Sequence, residues 1–306
     1  MILLDGKRVA AERREALRKE IEELRAQGRR APKLAIIIVG HNPASETYVA
    51  NKIKACNEVG IEAVKIAFEE SISERQLLAE IRQLNRDKSV DGFIVQLPLP
   101  AHISEAKVLT VIDYRKDVDG LTPMSMGRSI QGLPAIPSAT PAGILELLRF
   151  YNISAEGKHV VVIGRSNIVG KPLAIMLMQQ PYLSLPGVSA TMMGNATVTI
   201  CHSKTHRLGA VCRSADIIIV AAGSPKLLKA NMVKQGAVVI DVGINRVERR
   251  EASGERTYRL VGDVDFENVA PKTSFITPVP GGVGPMTIVS LLSNTIQAYK
   301  QKLKIK

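Results

Sequence analysis

Hydrophobic and polar positions along the chain alternate between two periods. From residue 7 to 27, Val9, Leu17, Ile21 and Leu24 form one apolar stripe among charges, the signature of an amphipathic helix that Gly28 stops. "LAIIIVG" (34–40) is a short β-branched run and predicts a buried strand. The segment after it, "HNPASETYVANKIKACNEVG", supplies Asn42 as N-cap, Pro43 as first helical residue and Gly60 as terminator. A strand at 62–68, a helix from Ser73 to Leu84 and a strand at 91–100 that runs into a proline-stiffened loop complete a βαβαβ order. That order predicts a mainly parallel, doubly wound sheet.

Near residue 140 the pattern restarts. "GILELLRFYN" (143–152) predicts a helix, and "KHVVVIGRSNIVGKPLAIMLM" (158–178) a strand, a glycine turn and a second helix. Further strands are expected at 196–203, 215–223 and 236–243, and a loop followed by a long helix from about residue 286 closes the chain. Residues 181–194 fit neither element and read as an insertion loop, and 246–258 as an exposed charged hairpin or loop. The 306 residues exceed the roughly 250–300 at which single cores split into domains. The expected fold class is therefore α/β, with two α/β domains around a cleft, the second a Rossmann-type nucleotide-binding domain. Residues 1–142 with 286–306 would form the first and 143–285 the second.

Composition changes this picture little. The chain is 45% hydrophobic and 23% charged, with no apolar run long enough to span a bilayer. Its opening "MILLDGKRVAAERREALRKE" turns charged after four positions, so no signal or transit peptide is expected. Cys56, Cys201 and Cys212 lack metal-site spacing, which points to a reduced cytoplasmic protein without a bound metal. The net charge of +12 matters more, since it suits nucleic acid, small polyanionic ligands or a solvated basic surface. Acids interleave with the basic residues and aromatics make up only 4%, few for a base-stacking platform. Neither a nucleic acid nor a membrane is expected as a partner.

Candidate chemistry lies in two stretches. Read as a helix, "SETYVANKIKAC" (45–56) places Tyr48, Lys52 and Cys56 on one face; alone, the pair Tyr48 and Lys52 reads as a partly exposed helix face. In "VVVIGRSNIVGKP" a strand ends in Gly164 and a helix opens near Gly170. Free backbone N–H groups and a positive helix end there suit a pyrophosphate. The turn reads G-R-S-x-x-x-G, one residue longer than the ordinary fingerprint, with Ser166 at the place of the second glycine. A plain strand-to-helix connection would look the same. The next strand ends "TICHSKT", where His202, Ser203 and Lys204 stand instead of the carboxylate that holds a ribose in NAD-binding domains. With Arg165 in the turn, these cations and hydroxyls favour NADP over NAD.

"TYVANK", "VQLPLP", "KDVDGLT", "GRSNIVGKP", "CHSKT", "DVGIN", "VGDV" and "TPVPGGVGPMT" follow in this order from residue 47 to 287. As a set they resemble the bifunctional methylenetetrahydrofolate dehydrogenase/methenyltetrahydrofolate cyclohydrolase family over nearly the whole chain. The resemblance implies two successive reactions. The methylene bridge of 5,10-methylenetetrahydrofolate gives a hydride to NADP, and water then opens the 5,10-methenyl cation to 10-formyltetrahydrofolate. Catalytic roles would fall to Lys52, the family's lysine, with Tyr48 beside the aminobenzoate, Gln96 hydrogen-bonded to the lysine and Asp119 on the pterin. Val95 and Leu97 beside Gln96 would line the folate pocket. So would the stretch containing Pro280, Gly281, Gly282, Val283, Gly284, Pro285 and Thr287. Gly164, Arg165, Ser166, Ser203 and Ile244 would line the NADP pocket.

The resemblance further implies a homodimer acting on polyglutamylated tetrahydrofolates in one-carbon metabolism that feeds purine biosynthesis. Two polyanionic ligands would then give the positive charge a use. Two departures stand out: "PSATP" (137–141) keeps Thr140 and Pro141 but lacks the family's usual cysteine, and 181–194 is a longer insertion than expected. The alternatives are a dehydrogenase lacking cyclohydrolase activity, which the presence of Lys52 argues against, and another Rossmann oxidoreductase.

The chemistry has its own logic. A methenyl carbon is already electrophilic, so the catalyst mainly positions and deprotonates a water. A lysine, with a reference pKa of about 10.4, does this only if desolvation and a cationic substrate lower its pKa. Gln96, being uncharged, can orient Lys52 without holding it as an ammonium. A carboxylate at Asp119 can accept the two side-by-side donors of a pterin edge, whereas Asp117 is expected in a turn or cap. The glycines of "PGGVGP" let backbone approach a flat ligand, with Pro285 near the first turn of the closing helix. His202 is expected as a strand-end or nucleotide-pocket residue and Cys56 as small packing.

Overall fold

In the computed structural model, residues 1–180, 194–250 and 256–303 are described. In chain order the elements are β1 (Ile2–Leu3), α1 (Gly6–Ala26), β2 (Lys33–Val39), α2 (Pro43–Val59), β3 (Glu62–Phe68), α3 (Glu74–Arg86) and β4 (Gly92–Val95). There follow α4 (Glu105–Val111), α5 (Pro123–Ile130), α6 (Ala139–Phe150), β5 (His159–Ile163), α7 (Gly170–Met178), β6 (Thr197–Cys201), α8 (Leu208–Ser214) and β7 (Ile217–Val220). The chain closes with β8 (Ala237–Asp241), β9 (Asn245–Arg250), β10 (Arg256–Val261), α9 (Phe266–Val269), β11 (Thr273–Ile276) and α10 (Val283–Leu303). It divides into two compact units, Ala11–Ala139 with Ile288–Lys306, and Met1–Ala10 with Thr140–Thr287.

The first unit is built on the parallel sheet β3-β2-β4. Its central strand β2 is apolar on both faces, as a strand covered on both sides must be. Leu34, Ile36 and Ile38 pack with Val49, Cys56 and Val59 of α2 and with Leu291, Leu292 and Ile296 of α10. Ala35, Ile37 and Val39 point the other way, to Leu77, Ile81 and Leu84 of α3. Local signals set the helix ends. The Asn42 side chain accepts from the Ala44 and Ser45 N–H groups at 3.0 and 3.1 Å, and Gly60 ends α2 at φ 89°. Ser73 and Gln76 cap α3 reciprocally.

The second unit carries a sheet of order β1-β11-β8-β7-β5-β6, with every neighbouring pair parallel. Val161, Ile163, Ile218, Val220 and Val239 pack there against Cys212 of α8 and Val269 of α9. The segment read as a charged hairpin or loop forms an antiparallel ribbon of β9 and β10.

Three boundaries differ from expectation. The first ten residues group with the second unit, because Ile2 and Leu3 pair with Phe275 and Ile276 of β11. A two-residue strand is too short to display a period, and β11 sits inside what read as a closing loop. Thr140, Pro141 and Ala142 also group with the second unit. Helix α10 begins at Val283 rather than near 286, so Pro285 lies within its first turn, where a missing N–H breaks no intrahelical bond. The insertion read at 181–194 lies outside the described residues, apart from Gly194. Among the described residues no helix is long and apolar enough to cross a membrane, and no group of three or more His, Cys, Asp or Glu could hold a metal ion.

Candidate active site

Lys52 sits in the middle of α2 and is only 3% exposed. Its Nζ donates to Gln96 Oε1 at 3.2 Å and lies 4.6 Å from the centre of the Tyr48 ring. Gln96 follows β4 directly and is itself fixed: its N–H donates to the Ile37 carbonyl at 2.8 Å and its Nε2 to the Leu97 carbonyl at 2.7 Å. The amide is thereby turned so that its oxygen faces the amine. Burial pushes the Lys52 pKa below its ordinary value, while the charge of Asp119 and the Cys56 thiol pull it back up. Among the described residues no carboxylate is hydrogen-bonded to this amine, so proton loss breaks no ion pair. Tyr48, one turn earlier, is half-buried and walls the amine. Cys56, one turn later, is fully buried in the core, and burial pushes its thiol up to about 12. Its place is in the packing of the core.

Asp119 stands on a turn after the bridge that Phe93 makes with Asp117. Asp117 is the internal member of this acidic pair. Its carboxylate accepts from the Leu121 N–H at 3.1 Å, the Thr122 N–H at 2.7 Å and the Ser125 hydroxyl at 2.8 Å. Burial pushes the Asp117 carboxyl up, and these hydrogen bonds oppose it. The Asp119 side chain, by contrast, is only partly buried, and its own carbonyl accepts from the Ala139 N–H at 3.1 Å. Val95 is buried at the end of β4, and Leu97 leads into Pro98 through a cis peptide bond.

The expected folate-lining stretch 280–287 belongs, by its contacts, to the second unit. Pro280 follows a cis bond and is exposed; Gly281 has φ 108°. A Cβ on Gly6 would lie 1.7 Å from the Gly282 carbonyl oxygen, and the Lys7 N–H donates to the Gly281 carbonyl at 3.0 Å. The N-terminal segment therefore braces this loop by backbone contact that a side chain would prevent. Val283 is buried, Gly284 and Pro285 are partly so, and a Cβ on Gly284 would meet Ile244 Cδ1 at 3.8 Å. Thr287 Oγ1 of α10 and Thr140 Oγ1, in the first turn of α6, are 3.1 Å apart, a polar contact between the two helices.

The glycine turn lies between β5 and α7. Gly164 has φ 130°, and a Cβ there would stand 2.2 Å from the Ala221 carbonyl oxygen. A Cβ on Gly170 would meet the Gly164 oxygen at 2.1 Å. Both positions are thus closed to any side chain. Ser166 Oγ accepts from the Val169 and Gly170 N–H groups at 3.1 and 3.4 Å, which ties the turn to the opening of α7. Arg165 and Ser166 are exposed, as are Ser203 and Lys204 beyond β6, and Ile244 is 61% exposed beyond β8. His202 closes the end of β6: its N–H donates to Thr205 Oγ1 and its Nδ1 accepts from the Lys204 N–H. These groups fit NADP. The turn admits close approach of a pyrophosphate, and no carboxylate stands at the end of β6 to repel a 2′-phosphate.

Two further acids were not singled out from the sequence. Asp241, at the end of β8, accepts from the Gly243, Asp263 and Val264 N–H groups at 3.0, 2.9 and 2.9 Å. Asp263 is fully buried and accepts from the N–H groups of Ala222, Gly223 and Ser224 and from Asn245 Nδ2. Together they fix the loops that leave β7 and β8. A Cβ on Gly262 would strike Asp241 Oδ2 at 1.8 Å, which explains the glycine before Asp263. Acids ending an otherwise apolar strand, as in "VVIDVG", were the available signal.

Residues 4–119 match the catalytic domain of tetrahydrofolate dehydrogenase/cyclohydrolase, and residues 138–303 its NAD(P)-binding domain. The chain is 54% identical over 303 residues to the bifunctional protein FolD of Bacteroides fragilis, covering 99% of each. The bifunctional FolD methylenetetrahydrofolate dehydrogenase/cyclohydrolase of Campylobacter jejuni is 47% identical with a TM-score of 0.86, over 98% of this chain and 99% of the other. A Trypanosoma brucei FolD, solved with NADP and an inhibitor, is 35% identical with a TM-score of 0.88 over 99% of both chains. The buried lysine with its neutral partner and the glycine turn closed to side chains are thus set in a chain that matches both domains of one family almost end to end: this protein belongs to the tetrahydrofolate dehydrogenase/cyclohydrolase family.

Proposed function

We propose that this protein oxidises 5,10-methylenetetrahydrofolate to the 5,10-methenyl cation and then hydrolyses that cation to 10-formyltetrahydrofolate. NADP, when bound, takes the hydride from the methylene carbon. Gly164, Ser166 and the opening of α7 hold its pyrophosphate, Arg165 and Ser203 its 2′-phosphate, and Ile244 packs on it. Tyr48 stacks beside the aminobenzoate and Asp119 accepts the paired donors of the pterin edge. Residues 280–287, with Val95 and Leu97, line the folate.

The observation that carries the hydrolytic half is the buried Lys52, held by a neutral amide and with its pKa lowered by burial. A neutral amine takes a proton from water as the oxygen adds to the methenyl carbon. The bond from that carbon to N5 then breaks, N5 receives a proton, and the formyl group remains on N10. One water enters and one proton leaves. A carboxylate at position 96 would hold the amine as an ammonium, and the step would stall. The bifunctional reading is favoured over a dehydrogenase alone because hydride transfer from the methylene carbon releases no proton, whereas the addition of water needs a proton acceptor such as this amine.

Finer expectations rest on the same reading. The substrate is polyglutamylated, the product supplies formyl groups to purine biosynthesis, and the protein is cytoplasmic, with Cys56, Cys201 and Cys212 as free thiols. It acts as a homodimer, for which the exposed Val247, Tyr258 and Leu260 of the β9–β10 ribbon offer a surface to a second copy. The test of function is a spectroscopic assay that follows methenyl formation with NADP or NAD, then methenyl loss without nucleotide. Failure of methenyl formation with both nucleotides would refute the dehydrogenase, and persistence of added methenyl compound the cyclohydrolase. Light scattering of the purified protein decides between monomer and dimer.

A further inference from the structure

The turn that carries Asp119 is clamped from a distant part of the chain. Asn294, on α10, is 3% exposed, and its Nδ2 donates to the Val118 carbonyl at 2.8 Å and to the Pro137 carbonyl at 2.9 Å. Both amide hydrogens are therefore spent on two backbone segments, one just before Asp119 and one facing it. Three other contacts close the same clamp. The buried Ser138 hydroxyl donates to the Gly120 carbonyl at 2.8 Å, the Ala139 N–H donates to the Asp119 carbonyl, and the Asp117 carboxylate ties down Leu121 and Thr122. Gly120, at φ 67°, lies so near Pro137 that a Cβ would stand 2.4 Å from the Pro137 carbonyl carbon. Backbone on both sides of Asp119 is thus immobilised, while its half-buried carboxylate takes no part in the clamp.

We infer that Asn294 is a positioning residue for folate recognition, which sets the Asp119 carboxylate through its paired bonds to the Val118 and Pro137 carbonyls. The inference rests on the reading of Asp119 as the pterin acceptor. A carboxylate that must meet two donors at once needs its backbone fixed to a fraction of an ångström, because small misplacement of a binding group is heavily penalised. Asparagine suits this role, since a planar NH₂ aims two donors at fixed angles and the buried site leaves the two carbonyls no water to turn to. Leucine or alanine at 294 would leave both carbonyls unpaired and the turn free to relax.

The experiment is a double-mutant cycle of Asn294→Ala and Asp119→Ala in the full chain, read by KM and kcat for both activities and by the Kd for NADP. Asn294→Ala should raise KM for the folate substrate about 10- to 100-fold in both assays, with kcat and the NADP Kd changed less than about threefold. Added to Asp119→Ala, it should change KM by less than about twofold, since the group it positions is gone. Ser138→Ala, a milder loosening of the same turn, should give a smaller KM rise with the same disappearance on Asp119→Ala, and it replaces Asn294→Ala should that variant not fold. Equal, multiplicative losses in the wild-type and Asp119→Ala backgrounds would show that Asn294 only supports the fold and overturn the inference. If Asp119→Ala alone leaves both activities intact, the pterin reading itself falls, and the inference falls with it.

Discussion

After β2 the chain turns into α2 and carries an amine inward; after β5 it turns into α7 and leaves a guanidinium and a hydroxyl outside. Lys52 is 3% exposed and meets a neutral amide. Arg165 and Ser166 lie on the surface, and the turn that bears them is tight only in its backbone, at Gly164 and Gly170. The two turns share an architecture and differ in what water does to each. A group that must give up its proton near neutral pH has to be desolvated without an ionic partner. One that holds a phosphate has to stay charged and reachable, because burying it would raise the desolvation penalty faster than the attraction. Parallel strands ending at a helix start serve both needs, and side-chain burial selects between them.

The strongest way to break this comparison is to remove the buried amine. Lys52→Met should lower cyclohydrolase activity by about 10²- to 10⁴-fold, the range for loss of a general base, while dehydrogenase activity falls far less. Thermal stability should hold, because a desolvated amine is exchanged for an apolar chain of similar length. Methenyl hydrolysis at the wild-type rate would mean that another group supplies the base.

Asp119→Ala should lower kcat/KM of both activities together, by about 10²- to 10⁴-fold for two charge-assisted hydrogen bonds, with the NADP Kd unchanged. It also sharpens the picture of Lys52. The Asp119 charge holds the Lys52 pKa up against burial. Any cyclohydrolase activity left in Asp119→Asn should therefore reach its plateau at lower pH than in the wild type. A plateau moved to higher pH would contradict the assigned electrostatics.

On the exposed turn, Arg165→Ala should narrow the preference for NADP over NAD by about 10- to 150-fold, the equivalent of one charged hydrogen bond. Wild-type protein that uses both nucleotides equally would refute the 2′-phosphate role.

The smallest effect concerns Asp241, whose pKa burial raises to about 6. A raised folded-state pKa contributes stability that is complete below the unfolded value and lost as pH rises through the folded one. The wild type should accordingly gain on the order of 1 kcal/mol relative to Asp241→Asn between pH 7 and pH 5. Denaturant titrations of both proteins at the two pH values measure it, and a gap that widens toward pH 7 would reverse the sign.

Much of the fold was legible because its signals are local and periodic. The two-sided apolar run of β2, the cap at Asn42, the stop at Gly60 and the Ser73 cap are each written within a few residues. The glycine turn was legible for the same reason, though not the steric ground for it: only the folded chain brings the Ala221 carbonyl within 2.2 Å of a Cβ at Gly164. The pairing of β1 with β11 left no trace, since two residues carry no period and the partner lies at the far end of the chain.

At the candidate site the division runs between identity and environment. The sequence by itself determined which groups were available: an amine one turn from a tyrosine, an amide after a strand, an acid in a turn, cations where a ribose-binding carboxylate would stand. The tertiary structure alone decided that Lys52 is buried rather than on a half-exposed face, which donors the Asp117 carboxylate meets, and that Asn294 grips two carbonyls 176 and 157 residues away. The reason is physical. Periodicity records which face of an element turns inward, averaged over many apolar side chains, whereas a single polar group's solvation and partners depend on which distant strand or helix arrives beside it.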